Sequence, residues 1–336
     1  MRLTLCLPGL LLPRQALIDT VSDLELPALS RLLSLGRLHR DTPAAHYDRL
    51  MQRWNLDAFP AAALRLLGEG GTPGTADWLC LDPVHLSVHR RGVKLEDPVA
   101  LALSAAEDAA LRETLAPCFA DIGELSATVP GHWALRLTAS CELVTQPLPQ
   151  AAGCEVDPAL PGGHDGIAWR RRLAAAQTLL HEHAVNRERE ASGKPVINSL
   201  WPWGPGQLRL PLAAPFDAIW SADPVLLGLG RASGITAGPP PPAFDRANGN
   251  ILAVIDDLAV PARSFDAFAW RETLARLERE WFAPAARLLR HGRCRALHIA
   301  GFGPDATLNV DVTPGDFLKF WRRPLPLTAL AGTAPA

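Results

Sequence analysis

The chain has 336 residues, 48% of them hydrophobic and 20% charged, with a formal net charge of −2 at pH 7. This composition supports a full core and excludes disorder along the whole chain, while the length fits two to three ordinary domains or one large α/β domain with an insertion. With no basic stripe and no arginine–aromatic interleaving, a nucleic-acid partner is disfavoured; no apolar run approaches a membrane span, so a membrane partner is not expected either.

The N-terminal "MRLTLCLPGLLLPRQAL" has the outline of a signal peptide, but Pro8 and Pro13 interrupt it. A buried first strand over Leu3 to Leu7 is the better reading. Residues 15 to 67 read as mostly helical, with Pro27 at a first helical position and Leu29, Leu32 and Leu33 recurring behind it. The loop "GEGGTPGT" is followed by no G-K-[ST], which removes the phosphate-loop reading. From Asp77 to Leu95 the alternation predicts strands broken at Pro83. Ser104 and Glu107 form a capping box for a helix running toward Phe119, and "HWALRLTAS" alternates as a strand.

"IAWRRRLAAAQTLLHEH" predicts a strong helix with Trp169, Leu173, Ala176 and Leu180 on its apolar side. "LRLPL" and "FDAIWSA" read as short strands, and Asp223-Pro224 opens a helix. "NILAVIDD" reads as a buried strand ending in two acids, followed by a long amphipathic helix or two. "RALHIAGFG" and "TLNVDV" read as strands joined by a turn. Thr313, Pro314 and Asp316 cap a final helix carrying Phe317, Phe320 and Trp321.

The six cysteines show no C-x-x-C spacing, so a structural zinc site has no support and reduced cytosolic thiols are expected. His181 and His183, two apart on a helix, point in divergent directions and cannot share a metal there. Asp82 and His85 lie three apart at a strand break, where an acid/base couple and a structural hydrogen bond are both open. Asp256 and Asp257 follow the end of a predicted parallel strand, where ligands gather in open α/β sheets. In "NSLWPWGPG" (198–206), each proline pushes its predecessor out of the helical region. The ribbon is therefore extended, and alternation sets Trp201 and Trp203 on one side. They plug a core or wall a pocket in which Asn198 and the Gly204 backbone offer polar contacts.

The run "HEHAVNREREASGKPVINSLWPWGPG" (181–206) resembles the H-x-V-N-x-x-R…N-S-x-W-x-W-G-x-G signature of the RpfE-type bacterial regulatory proteins. "ADWLCLDPVHLSV" and "EREWFAPAARLLRHGR" resemble other stretches of that family. "DAIWSADPVLLGLGRASGI" (217–235) is similar to a segment of the archaeal-type cofactor-independent phosphoglycerate mutases, of the alkaline phosphatase superfamily. The resemblance implies an α/β fold with an alkaline phosphatase-like central sheet flanked by helices and a smaller inserted α/β unit. The expected division is residues 1–75 as the start of the core, 76–156 as the insert, and 157–336 as the main core with the signature.

Those mutases transfer a phosphoryl group from a serine beside two divalent metals. The chain departs from the ligand pattern at three places. The first strand ends "LCLPGLLLP" with no acid; "LAVPARSF" after "NILAVIDD" has no histidine; "HIAGFGPDA" has Asp305 without an adjacent histidine. A two-metal site needs several converging ligands. The expectation is therefore a cytoplasmic, ligand-sensing or regulatory protein without metal or other cofactor. Its ligand would be a small phosphorylated or carboxylate compound, held near His181, His183, Asn186, Arg187, Asn198, Trp201, Trp203, Gly204, Asp82 and His85. One alternative is an active phosphoglycerate mutase or phosphatase with a divalent metal on Asp82, His85, Asp256 and Asp257. Another is a protein-interaction module that docks a protein partner on the tryptophan face.

Overall fold

The computed structural model describes residues 1–56, 58–90, 92–157, 161–245 and 248–331. The chain divides into two compact units, one formed by Met1–Leu56 with Leu212–Ala336 and the other by Asp57–Pro211. The first unit opens with β1 (Arg2–Pro8), α1 (Arg14–Val21), α2 (Pro27–Leu35), β2 (Arg37–Asp41) and α3 (His46–Trp54). The second runs through α4 (Ala61–Gly68), β3 (Asp77–Val84), β4 (Leu86–His89), β5 (Gly92–Leu95) and α5 (Ala105–Leu115). It continues with β6 (Gly123–Val129), β7 (His132–Leu137), α6 (Leu148–Ala151), β8 (Glu155–Val156), α7 (Gly166–His181), α8 (Ala184–Ala191) and β9 (Ser199–Gln207). The chain returns to the first unit with β10 (Ala218–Trp220), α9 (Pro224–Ala232), β11 (Thr236–Gly238), β12 (Asn250–Val254) and α10 (Ala259–Ser264). Last come α11 (Ala267–Leu277), α12 (Ala283–Arg290), β13 (Ala296–Phe302) and β14 (Thr307–Val312).

The first unit is built on a seven-stranded sheet in the order β11-β10-β12-β1-β13-β14-β2. The five strands from β11 to β13 are parallel, while β14 is antiparallel to both of its neighbours. β1 lies centrally, which is why "LTLCLP" is apolar almost without interruption: a parallel strand covered on both faces has no solvent side. Leu3, Leu5 and Leu7 pack with Ile251, Ala253, Leu297 and Ile299 against Trp270, Leu274 and Leu277 of α11. α9 starts where the sequence says it should: the Asp223 carboxylate accepts from the Val225 amide at 2.8 Å and Pro224 occupies the first turn. This is a mixed α/β architecture with a large central sheet flanked by helices, as expected.

The second unit holds an antiparallel sheet ordered β6-β7-β3-β9 and a three-stranded one ordered β4-β5-β8. Its core joins Leu79, Leu81, Leu135 and Leu137 to Trp169, Leu173, Ala176 and Leu180 of α7. The capping box predicted for α5 is present, with Ser104 and Glu107 bonding reciprocally.

Several expectations are corrected. The expected boundaries at 75 and 156 differ from the observed ones at 57 and 211. The reason is that β9 pairs with β3 from Asp77↔Gln207 to Val84↔Ser199, which carries the signature into the smaller unit. Within the stretch read as helical, "RLHRD" is the edge strand β2. Pro83 lies inside β3, paired with Leu200 of β9 in the part of the strand that β7 no longer accompanies. "LRLPL" forms no strand. The helix expected after Thr313 is a short 3-10 turn, Pro314–Leu318, that leaves Phe320 and Trp321 beyond its end, and a further 3-10 turn follows at Leu327–Ala331. Among the described residues, no helix is long and apolar enough to cross a membrane.

Candidate functional site

The signature ribbon is the edge strand β9, extended as its prolines require. Both indoles are buried, Trp201 at 7% and Trp203 at 2% exposure, so neither offers a docking face. Trp203 Nε1 donates to Asp82 Oδ2 at 2.7 Å, and Trp201 Nε1 donates to the Gln146 carbonyl at 2.8 Å. Asp82 is the hub of a buried cluster. Its Oδ2 also accepts from Arg65 Nη1 at 2.6 Å, and its Oδ1 accepts from the Trp133 amide at 2.9 Å. Arg65 Nη2 donates to the Trp133 carbonyl, and its guanidinium lies over the Trp203 ring at 5.5 Å. Burial opposes the Arg65 charge, but the Asp82 carboxylate outweighs it and the pKa rises. Asp82 is thus the counter-ion of a structural arginine rather than a free acid. His85 turns away from it, its Nδ1 at 2.8 Å from the Val196 carbonyl.

The remaining signature residues are spent in the same way. Asn186 Nδ2 donates to the carbonyls of Leu180 and Ile197, and its Oδ1 accepts from the Ile197 amide at 2.8 Å. Asn198 brackets Leu86, accepting from its amide and donating to its carbonyl, both at 2.8 Å. His183 caps α8, Nδ1 accepting from the Val185 amide at 3.2 Å, with Nε2 3.0 Å from Thr114 Oγ1. Gly204 has φ +59°, and an added Cβ would stand 2.6 Å from that of Ala61. His181 and Arg187 are exposed. The arginine that matters is Arg189, which the sequence reading passed over. It is 1% exposed and donates to the Pro195 carbonyl, to Glu107 Oε1 at 2.8 Å and to the Leu101 carbonyl. The spacing H-x-V-N-x-x-R from His183 marks Arg189, not Arg187, and was the available signal.

The ribbon also walls a pocket of about 270 Å³ inside the smaller unit. Leu86, Leu173 and Trp201 supply apolar wall, and Arg170, Gln177 and Ser199 the polar points. Gln177 Nε2 donates to Ser199 Oγ at 3.0 Å and Arg170 Nη1 to the Pro161 carbonyl at 2.7 Å. Few polar groups on an apolar wall are the ordinary make-up of a small-molecule site. Of the expected ligand residues, the pocket includes only Trp201.

In the larger unit, ligands are expected at the carboxyl ends of the parallel strands. There Asp256 is held above the ordinary carboxylate range, first by burial and then by Asp257, with Arg263 opposing. Asp257 pairs with Arg276. Asp223 accepts from Tyr47 Oη while capping α9, and Asp305 accepts from the Arg14 amide at 3.0 Å as α1 begins. His46 lies 4.4 Å from the Tyr47 ring and 6.2 Å from Phe302. Burial, then the charge of Arg263, pushes His46 down to about 4. Burial pushes the Cys6 thiol up to about 12 against the pull of Arg53. Among the described residues, no three His, Cys, Asp or Glu side chains gather as a metal site. These residues do not fit a two-metal centre: its cations would meet Arg53 and Arg263, and the nearby acids already serve a cap, a helix start and an ion pair.

No family model matches the chain. A stretch of 88 residues is 33% identical to the 2,3-bisphosphoglycerate-independent phosphoglycerate mutase of Methanosarcina mazei, covering 25% of this chain and 22% of that protein. The match thus spans about a fifth of the relative's length. The fold is similar to that of the PH0037 protein from Pyrococcus horikoshii, with a TM-score of 0.57 and 15% identity over 93% of this chain and 87% of that one. The cofactor-independent phosphoglycerate mutase of Thermoplasma acidophilum superposes more loosely, at a TM-score of 0.46 and 17% identity over 100% of this chain and 96% of that one. The chain has a mixed α/β fold similar to that of the PH0037 protein, and an 88-residue stretch of it is weakly homologous to a 2,3-bisphosphoglycerate-independent phosphoglycerate mutase.

Proposed function

We propose that this chain is a ligand-sensing or regulatory protein of the RpfE type, built on a phosphoglycerate mutase-like fold without two-metal phosphoryl transfer. One observation carries the reading. Where the parallel strands end, the charges acting on Cys6, His46 and Asp256 are those of Arg53, Arg263 and Asp257, while Asp223, Asp257 and Asp305 are each already bonded within the protein. Arginines bind anions and repel divalent cations, so the arrangement suits a small phosphorylated or carboxylate ligand. Such a protein works in the cytoplasm, needs no cofactor and responds to its ligand by a change of state. The test combines manganese titration with 3-phosphoglycerate turnover. No metal-dependent turnover is expected, and manganese-dependent mutase activity would overturn the reading.

The second reading, an active mutase or phosphatase with altered ligands, draws on the 88-residue match to a mutase. It needs Asp256 and Asp257 to take up a metal. Asp257→Asn would then abolish activity, whereas under the leading reading it only removes one of the two carboxylate partners of Arg276, which keeps Glu280.

A further inference from the structure

Leu318, Phe320 and Trp321 are 75%, 81% and 68% exposed, within four residues of one another. Apolar side chains this exposed project from the surface instead of lining a groove, and the Phe320 and Trp321 rings brace each other edge to face at 5.3 Å. The backbone beneath them is held firmly. Arg322 Nη1 donates to the Ser34 carbonyl at 2.9 Å, Arg31 donates to the Arg322 carbonyl, and the Leu325 amide donates to the Ser30 carbonyl at 3.2 Å. The segment is therefore tied to α2 immediately after its aromatic tip. A clustered, rigidly presented apolar projection marks an interaction surface.

Its surroundings name the partner. β14 runs against β13, so the chain leaves it at the edge where the parallel strands begin: Val312 pairs with Leu297, and Arg37 with Asp311. Arg2 opens β1 in register with Ala296, which brings Arg295 and Arg293 to the same edge, and Arg290 ends α12 just before them. All five arginines are exposed, as are Arg322 and Arg323 beside the aromatic tip. The acids here are engaged: Asp311 with His298, Asp316 with Lys319, and Asp217 with the Asn250 amide. The basic rim is assembled from four separated stretches of chain, which is why no basic stripe shows in the sequence.

We propose that this edge of the larger unit docks peripherally on an anionic lipid bilayer, with Leu318, Phe320 and Trp321 entering the interface and the arginine rim on the headgroups. Aromatic and aliphatic side chains flanked by arginines are what interfacial binding uses, and no spanning segment is required. An aliphatic side chain in the tip favours acyl chains over stacked bases. The test is sedimentation of the full chain with vesicles of phosphatidylcholine, with and without about 30 mol% phosphatidylserine. Binding to the anionic vesicles alone is expected, falling steeply with salt. The F320S/W321S double variant, altered only at exposed positions, should lose roughly tenfold or more in partitioning while melting as the wild type does. R290E/R293E should lower binding and flatten its salt dependence. The proposal fails if the anionic vesicles bind no protein or bind F320S/W321S as well as the wild type. It also fails if polyuridylate binds the tip more tightly than the vesicles do.

Discussion

The aromatic ribbon of the smaller unit and the strand ends of the larger one were both expected to carry ligands, and they differ in how their polar atoms are used. In the ribbon, every signature polar group that is buried is satisfied within the protein: Asp82 by three donors, Asn186 by three partners, Arg189 by three acceptors. At the strand ends, Cys6, His46 and Asp256 are displaced from their ordinary pKa values, chiefly by loss of hydration, with neighbouring charges adding to that shift or opposing it. A recognisable motif can thus be a folding device.

The contrast breaks most sharply at Asp82. Asp82→Ala leaves Arg65 as an uncompensated buried charge and should cost about 3–5 kcal/mol, read by urea denaturation. Unchanged stability with altered ligand response would move Asp82 to the functional side. Next is the pair of neighbouring arginines. Arg189→Ala should cost about 3 kcal/mol because a buried guanidinium is removed and its three acceptors, the Leu101 carbonyl among them buried, lose their donor, whereas exposed Arg187→Ala should stay within about 0.5 kcal/mol. The reverse order would mean that the signature is read from its solvent side.

The elements within each unit were legible because local signals agree with their surroundings: "LTLCLP" as a doubly covered strand, the Ser104–Glu107 box, Asp223-Pro224 as a helix start. The division of the chain was not. It depends on the pairing of β9 with β3, separated by more than a hundred residues, and no local pattern reports a partner so far away. For the same reason Asn186 and Asn198 looked like ligand contacts: their polarity is visible in sequence, but the backbone groups they satisfy are not. Likewise β2, with its polar edge composition, offered no strand signal.

Gly204→Ala sharpens the same contrast with a smaller effect. It forces a side chain into a left-handed backbone and against Ala61, at about 2 kcal/mol, with no change expected in ligand response. The smallest effect belongs to the strand ends. His46 is neutral in the folded protein down to about pH 4 but takes up a proton near pH 6.5 when unfolded. The folded state therefore binds fewer protons, and its stability falls as pH drops from about 6.5 to about 4, by at most about 2 kcal/mol for a part-exposed ring. His46→Leu should flatten that segment of the stability–pH curve, and an unaltered slope would place the titrating group elsewhere.

The most direct test of the central claim is turnover of 3-phosphoglycerate by the full chain across a manganese titration. The arginines at the strand ends and the prior engagement of the acids there predict no metal-dependent interconversion at any manganese concentration, even where the phosphoglycerate itself binds. Interconversion that rises with manganese and is lost in Asp257→Asn would contradict the account.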